Sequence, residues 1–169
     1  MSPVFRRLIA ALIVVVLVPA LAPTRVSAAS PSVVDLEGAP ASLLDVPTLH
    51  CHDLDASIIR CFRTERGLQA ALSARASKSG VLTAGVAYVE MFEHTYYGGA
   101  SFVVSEDYPN LGSIGWNDRV SSFRGLNGYY GTFFQHANYV GSYWRFGPNQ
   151  QVFDVGTAWN DFISSVWRG

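Results

Sequence analysis

The 169-residue chain contains two cysteines, Cys51 and Cys61, and none beyond them. It has no basic stripe: twelve Lys and Arg stand against thirteen Asp and Glu, for a formal charge of −1. A mildly acidic chain of this kind lacks the electrostatic footprint of a nucleic-acid binder. Neither a Gly-x-Ser-x-Gly elbow nor a His-Glu-x-x-His helix occurs, so the usual hydrolase and metalloprotease signatures are missing and a non-enzyme is expected. The one long apolar run is at the start, Leu8 to Ala22, preceded by Arg6 and Arg7 and followed by Val26-Ser27-Ala28-Ala29. It is short for a membrane span and ends in the small residues a signal peptidase needs, so residues 1–29 are expected to be a signal peptide. No cysteine lies there to carry a lipid, and two arginines alone do not make a twin-arginine signal. The expected product is soluble and secreted, with no membrane attachment. Cleavage would remove Arg6, Arg7 and Arg25 and no acid, taking the formal charge from −1 to −4.

What remains divides by texture. Residues 30–47 are rich in Ala, Pro, Ser and Val and read as a loose leader. Residues 48–80 form an accessory unit. Its two cysteines, ten apart in an exported chain, are expected to form a disulfide across a hairpin whose turn lies in His52-Asp53-Leu54-Asp55-Ala56-Ser57. His50 and His52 flank Cys51, but their spacing matches no zinc module. Thr64 can cap a helix that carries Leu68, Leu72 and Ala76 on one stripe and ends at Ser77-Lys78-Ser79-Gly80.

From residue 84 to 169, short runs rich in Tyr, Phe, Trp and Val alternate with Gly, Asn, Asp and Pro. Runs at 87–92, 101–104, 121–126, 129–134, 143–146, 151–155 and 164–167 read as strands, which makes the domain all-β. A block within it occurs twice. Phe92-Glu93-His94-Thr95-Tyr96-Tyr97-Gly98-Gly99 is echoed 42 residues later by Phe134-Gln135-His136-Ala137-Asn138-Tyr139-Val140-Gly141. Trp116-Asn117-Asp118-Arg119-Val120-Ser121-Ser122 is echoed 43 residues later by Trp159-Asn160-Asp161-Phe162-Ile163-Ser164-Ser165. A duplicated supersecondary unit is the natural reading. Two such units, about 85–127 and 128–169, are expected to pack as two Greek keys in a β-sandwich.

The two halves of the block do different work. The aromatic-x4-aromatic-x-Gly half describes a hairpin folded back on its sheet, with Tyr97 and Tyr139 packed over it and Gly99 and Gly141 supplying positive φ. His94 and His136 read as hairpin-tip residues. The Asn-Asp-x-x-Ser-Ser half crowds an amide, a carboxylate, hydroxyls and backbone carbonyls into six residues. Those are hard donors that suit Ca²⁺. One such loop cannot surround an ion that wants six to eight ligands, whereas two could share two ions.

Phe-x4-Tyr-x-Gly twice and Asn-Asp-x-x-Ser-Ser twice, in this order and spacing, make residues 85–169 resemble the βγ-crystallin family in its microbial calcium-binding branch. The resemblance implies two calcium sites at one end of the sandwich. Asp118 and Asp161 would give side-chain oxygen. Arg119, Phe162, Glu93 and Gln135 would give main-chain carbonyls. Ser121 and Ser164 would each reach across with a hydroxyl, and Asn117 and Asn160 would brace the loops. Arg119 departs from its counterpart Phe162 by placing a cation beside one loop. The superfold also hosts secreted metalloprotease inhibitors and killer-toxin-like proteins. The inhibitors carry disulfides within this domain, and here no cysteine follows Cys61. On that alternative, the surface to test would lie among Tyr96, Tyr129, Tyr130, Tyr143 and Trp144.

Overall fold

A computed structural model describes residues 33–55, 58–78 and 86–169. The expected signal peptide and part of the leader lie outside the described residues, as do Ala56 and Ser57 of the expected turn and Ser79 and Gly80 of the expected helix stop. Among the described residues eleven strands and one α-helix follow in order: β1 (Val33–Leu36), β2 (Ala39–Ala41), β3 (His50–Asp55), β4 (Ile58–Phe62), α1 (Glu65–Lys78), β5 (Tyr88–His94), β6 (Gly98–Val104), β7 (Ser122–Leu126), β8 (Gly131–His136), β9 (Val140–Phe146), β10 (Gln151–Val152) and β11 (Ser165–Arg168). Among the described residues, no helix is long and apolar enough to cross a membrane.

The duplicated region is a two-layer sandwich. One layer is β10-β7-β5-β6 and the other is β11-β8-β9. Each unit lends a piece to the other's sheet: β10 pairs with β7, and Tyr108 bridges Val166 beside β8. Strand alternation explains the core. Val89 and Met91 on β5, Phe102 on β6, Phe123 on β7 and Phe133 on β8 all point inward and are fully buried. Phe123 sits at the centre, 5.1 Å from Phe133, 5.0 Å from Phe146 and 5.6 Å from Trp144 between ring centroids. Each such ring contributes about 1.5–3 kcal/mol through burial. Of the aromatics expected at the surface, Tyr129 is instead buried and stacks on Phe146. Trp144 is half-buried against Phe123 and Trp159.

The accessory segment continues the first sheet. β3 pairs in parallel with β6, opposing His50 to Ser101 and His52 to Val103, and the full order becomes β10-β7-β5-β6-β3-β4-β1-β2. Cys51 and Cys61 face each other in the β3–β4 register and are bonded, with Cα atoms 4.1 Å apart. Residues 33–41, read from sequence as a loose leader, form strands. β1 finds a parallel partner in β4 and an antiparallel one in β2. Pro40 is tolerated there because β2 is the edge strand.

Thr64 caps α1, its hydroxyl accepting the Gly67 N–H at 3.1 Å. The predicted stripe faces inward: Leu68 and Leu72 pack with Leu54, Val103, Phe62 and Tyr88 on the outer face of the sheet. Beside them a polar seam joins helix to strand. Arg124 reaches the buried Glu90 at 3.1 Å and Glu65 at 2.9 Å, while Gln69 donates to Glu90 at 3.3 Å. Burial holds the Glu90 carboxyl above its ordinary range against the pull of Arg124.

Candidate metal centre

Both hairpins fold back in the same way. Phe92 meets Tyr97 edge-on with centroids 5.5 Å apart, and Phe134 meets Tyr139 at 5.7 Å. The turn needs more than the glycines: Tyr96 and Tyr97 have φ of 57° and 62°, and Asn138 and Tyr139 have φ of 62° and 63°, ahead of Gly99 at 74° and Gly141 at 86°. A Cβ at Gly99 would lie 2.8 Å from the His94 ring, and one at Gly141 would lie 2.7 Å from the His136 ring. The histidines therefore pack flat against the glycine backbone.

The second serine of each Asn-Asp-x-x-Ser-Ser motif holds its hairpin in place. Ser122 donates its hydroxyl to His94 O at 2.6 Å and accepts from Tyr97 N at 3.1 Å. Ser165 does the same with His136 O at 2.7 Å and Tyr139 N at 3.2 Å. This duty is legible only after the fold is known, because nothing local pairs position 122 with position 94.

The first serine of each motif points into the space between the loops. Ser164 Oγ donates to Gln135 O at 2.8 Å and lies 2.9 Å from Asp118 Oδ1, which belongs to the other loop. Ser121 Oγ donates to Glu93 O at 2.6 Å. The loops are also joined reciprocally through their backbones, Asp118 N to Ile163 O at 3.0 Å and Asp161 N to Val120 O at 3.5 Å. Both aspartates sit in the left-handed region, with φ of 55° and 58°. Aspartate tolerates this region better than most residues, and the two equivalent positions share it. Asn117 Nδ2 donates to Asp118 Oδ2 at 2.6 Å, and Asn160 Nδ2 to Asp161 Oδ2 at 2.9 Å, so each amide orients the carboxylate beside it.

Two oxygen-lined positions result. The first joins Ser121 to the Glu93 carbonyl, with Arg119 in the same loop and Asp161 tied to that loop through its backbone N–H. The second joins Ser164 to both the Gln135 carbonyl and the Asp118 carboxylate, with Phe162 in the same loop as Ser164. Among the described residues no three His, Cys, Asp or Glu side chains converge. The Asp118 carboxylate stands with the Ser164 hydroxyl, which also meets the Gln135 carbonyl, oxygen donors of the kind a hard cation takes. The copies differ most at Arg119. Its guanidinium lies 2.5 Å from the Glu93 carboxylate and donates to Pro47 O at 2.7 Å, while Phe162 is exposed to solvent.

Two interlocked Greek keys with a reciprocal pair of Asn-Asp-x-x-Ser-Ser loops define a crystallin-type sandwich. Residues 88–168 match the profile of the Beta/Gamma crystallin family. A βγ-crystallin from an archaeon shares 34% identity over 50% of this chain and 99% of its own, with a TM-score of 0.44. A βγ-crystallin domain from Flavobacterium johnsoniae shares 28% identity over 48% of this chain and 92% of its own, with a TM-score of 0.43. No match was found among curated proteins. The chain belongs to the βγ-crystallin family through its second half.

Proposed function

We propose that this is an exported, non-catalytic calcium-binding protein whose two ions bridge the Asn-Asp-x-x-Ser-Ser loops and thereby staple one Greek key to the other. The observation that carries the reading is the cross-loop cluster in which Asp118 Oδ1 and Gln135 O lie 2.9 Å and 2.8 Å from the same Ser164 hydroxyl. Asp118 would supply the charge of the second position, with Ser164, the Gln135 carbonyl and the Phe162 carbonyl around it. Asp161 would supply that of the first, with Ser121 and the carbonyls of Glu93 and Arg119. A bound Ca²⁺ would contribute charge neutralisation and cross-linking. With about one carboxylate per position, affinity belongs in the weak extracellular range, Kd ~10⁻⁵–10⁻³ M.

Isothermal titration of the purified protein with CaCl₂, followed by thermal melting, tests this. The expected result is binding in that range and stabilisation of about 2.7 kcal/mol per independent position at 100 times Kd. Asp118→Ala and Asp161→Ala should each abolish or sharply weaken binding at one position. Loss of both positions in either variant would show that the loops work as a pair. No heat above dilution, with a melting temperature unmoved by millimolar calcium, would sink the reading.

A further inference from the structure

Residues 33–78, taken together as the accessory segment, reach the candidate centre through the turn at Val46–Thr48. Pro47 packs so closely on the loop preceding Trp116 that a Cβ at Gly115 would lie 2.5 Å from Pro47 Cγ. The Pro47 carbonyl, with nothing equivalent on the other unit, receives Arg119 Nη2 at 2.7 Å, and the same nitrogen lies 2.5 Å from Glu93 Oε1. The guanidinium carbon is 5.9 Å from the centre of the Trp116 ring, and Arg119 Nε is buried without a partner. In the duplicate, the positions of Arg119 and Glu93 are held by Phe162 and Gln135, so cation and anion are replaced together by neutral side chains. The first position thus carries a charge pair that the second does not. Half of that pair is fixed by the accessory segment.

We propose that the accessory segment regulates the first ion position, Pro47 and Glu93 holding the Arg119 guanidinium at its rim so that it binds calcium more weakly than the second. The inference rests on the calcium reading above. Arg119 and Glu93 act with opposite sign. Removing Arg119 leaves the Glu93 carboxylate unpaired beside its own ligand carbonyl, which favours a divalent cation. Removing the Glu93 charge leaves the guanidinium uncompensated, which disfavours one. Docking and affinity are opposed as well, because Arg119 ties the accessory turn to the loop.

The experiment is calcium titration of the parent, Arg119→Ala, Glu93→Gln and the double variant, with Ser121→Ala and Ser164→Ala assigning the two binding steps. Apo melting is read alongside. The expected result is a first-position Kd at least threefold lower in Arg119→Ala and at least threefold higher in Glu93→Gln. The double variant should lie near the parent, and the second step should be unmoved throughout. Apo Arg119→Ala should melt lower than the parent although it binds calcium more tightly, a combination that mere loosening of the loop does not produce. Glu93→Gln is nearly isosteric and carries the test if Arg119→Ala folds poorly. Two steps unmoved by either variant, or both variants weakening the first step, overturn this inference and leave calcium binding standing. A parent that takes up no calcium overturns the calcium reading and this inference with it.

Discussion

The two Greek keys are near copies in their local bonds and opposites in their surroundings. Ser122 and Ser165 hold the same hairpin with bonds that agree to within 0.1 Å. Yet the outer face of the first unit lies beneath α1, with Phe92 fully buried and Arg124 4.7 Å above its ring, whereas Phe134 is only half-buried and its neighbour Tyr143 is exposed. Duplication copied the geometry of the unit, and the preceding segment then covered one copy. A contact that looks identical in the two units should therefore not be worth the same in both.

Truncating the equivalent aromatics breaks or upholds this most sharply. Phe92→Ala should cost about 3–5 kcal/mol in denaturant unfolding, and Phe134→Ala about 1–2 kcal/mol, because the second leaves no sealed cavity. Equal costs would mean that the helix adds nothing to the first unit. Next in size, replacing Cys51 and Cys61 together by Ser should lower stability by about 2–3 kcal/mol through the unfolded chain. A single unfolding transition should shift as a whole, since β3 and β6 share one sheet. Two separated transitions would divide the accessory segment from the sandwich.

The smallest effect is a pH signature of that same seam. His52, buried on β3 near Asp55, Arg75 and Arg60, titrates at about 4 because burial disfavours its charged form. Asp53, buried beside Ser105, Tyr108 and Glu106, is pushed up to about 6 for the same reason. The His52 contribution is present above its ordinary value of 6.5 and lost as pH falls toward 4. The Asp53 contribution is present below its ordinary value of 3.8 and lost as pH rises through 6. Between pH 4 and 6 the two slopes oppose, each at most about 1.4 kcal/mol per pH unit. Stability of the parent should be nearly flat there. Asp53→Asn should expose a rise with pH, and His52→Gln a fall, in pH-stepped unfolding.

The sandwich was legible because its signal is local and stated twice: the strand runs, the hairpin aromatics and the paired aspartates all sit within short windows. The cross-loop approach of Ser164 to Asp118 could be anticipated only through family resemblance, since 46 positions separate them. The left-handed backbone of Asp118 and Asp161 left no signal, because an aspartate followed by Arg or Phe does not announce a positive φ. β1 and β2 were missed for a related reason. Val33–Leu36 has no alternation of its own and becomes a strand by pairing in parallel with β4, a partner more than twenty residues away. The contact of Arg119 with Pro47 spans 72 positions and was invisible for want of any local pattern.

The parallel seam between β3 and β6 also sets an order of events. Residues 50–52 pair with residues 101–103, so the accessory hairpin is synthesised about fifty residues ahead of the strand it must join. Until β6 arrives, one side of β3 carries unpaired backbone groups, while its other side is held by the β4 ladder and the disulfide. Folding of the segment that leads the chain thus waits for the domain that follows it, and the first Greek key is the template on which the chain's beginning is completed.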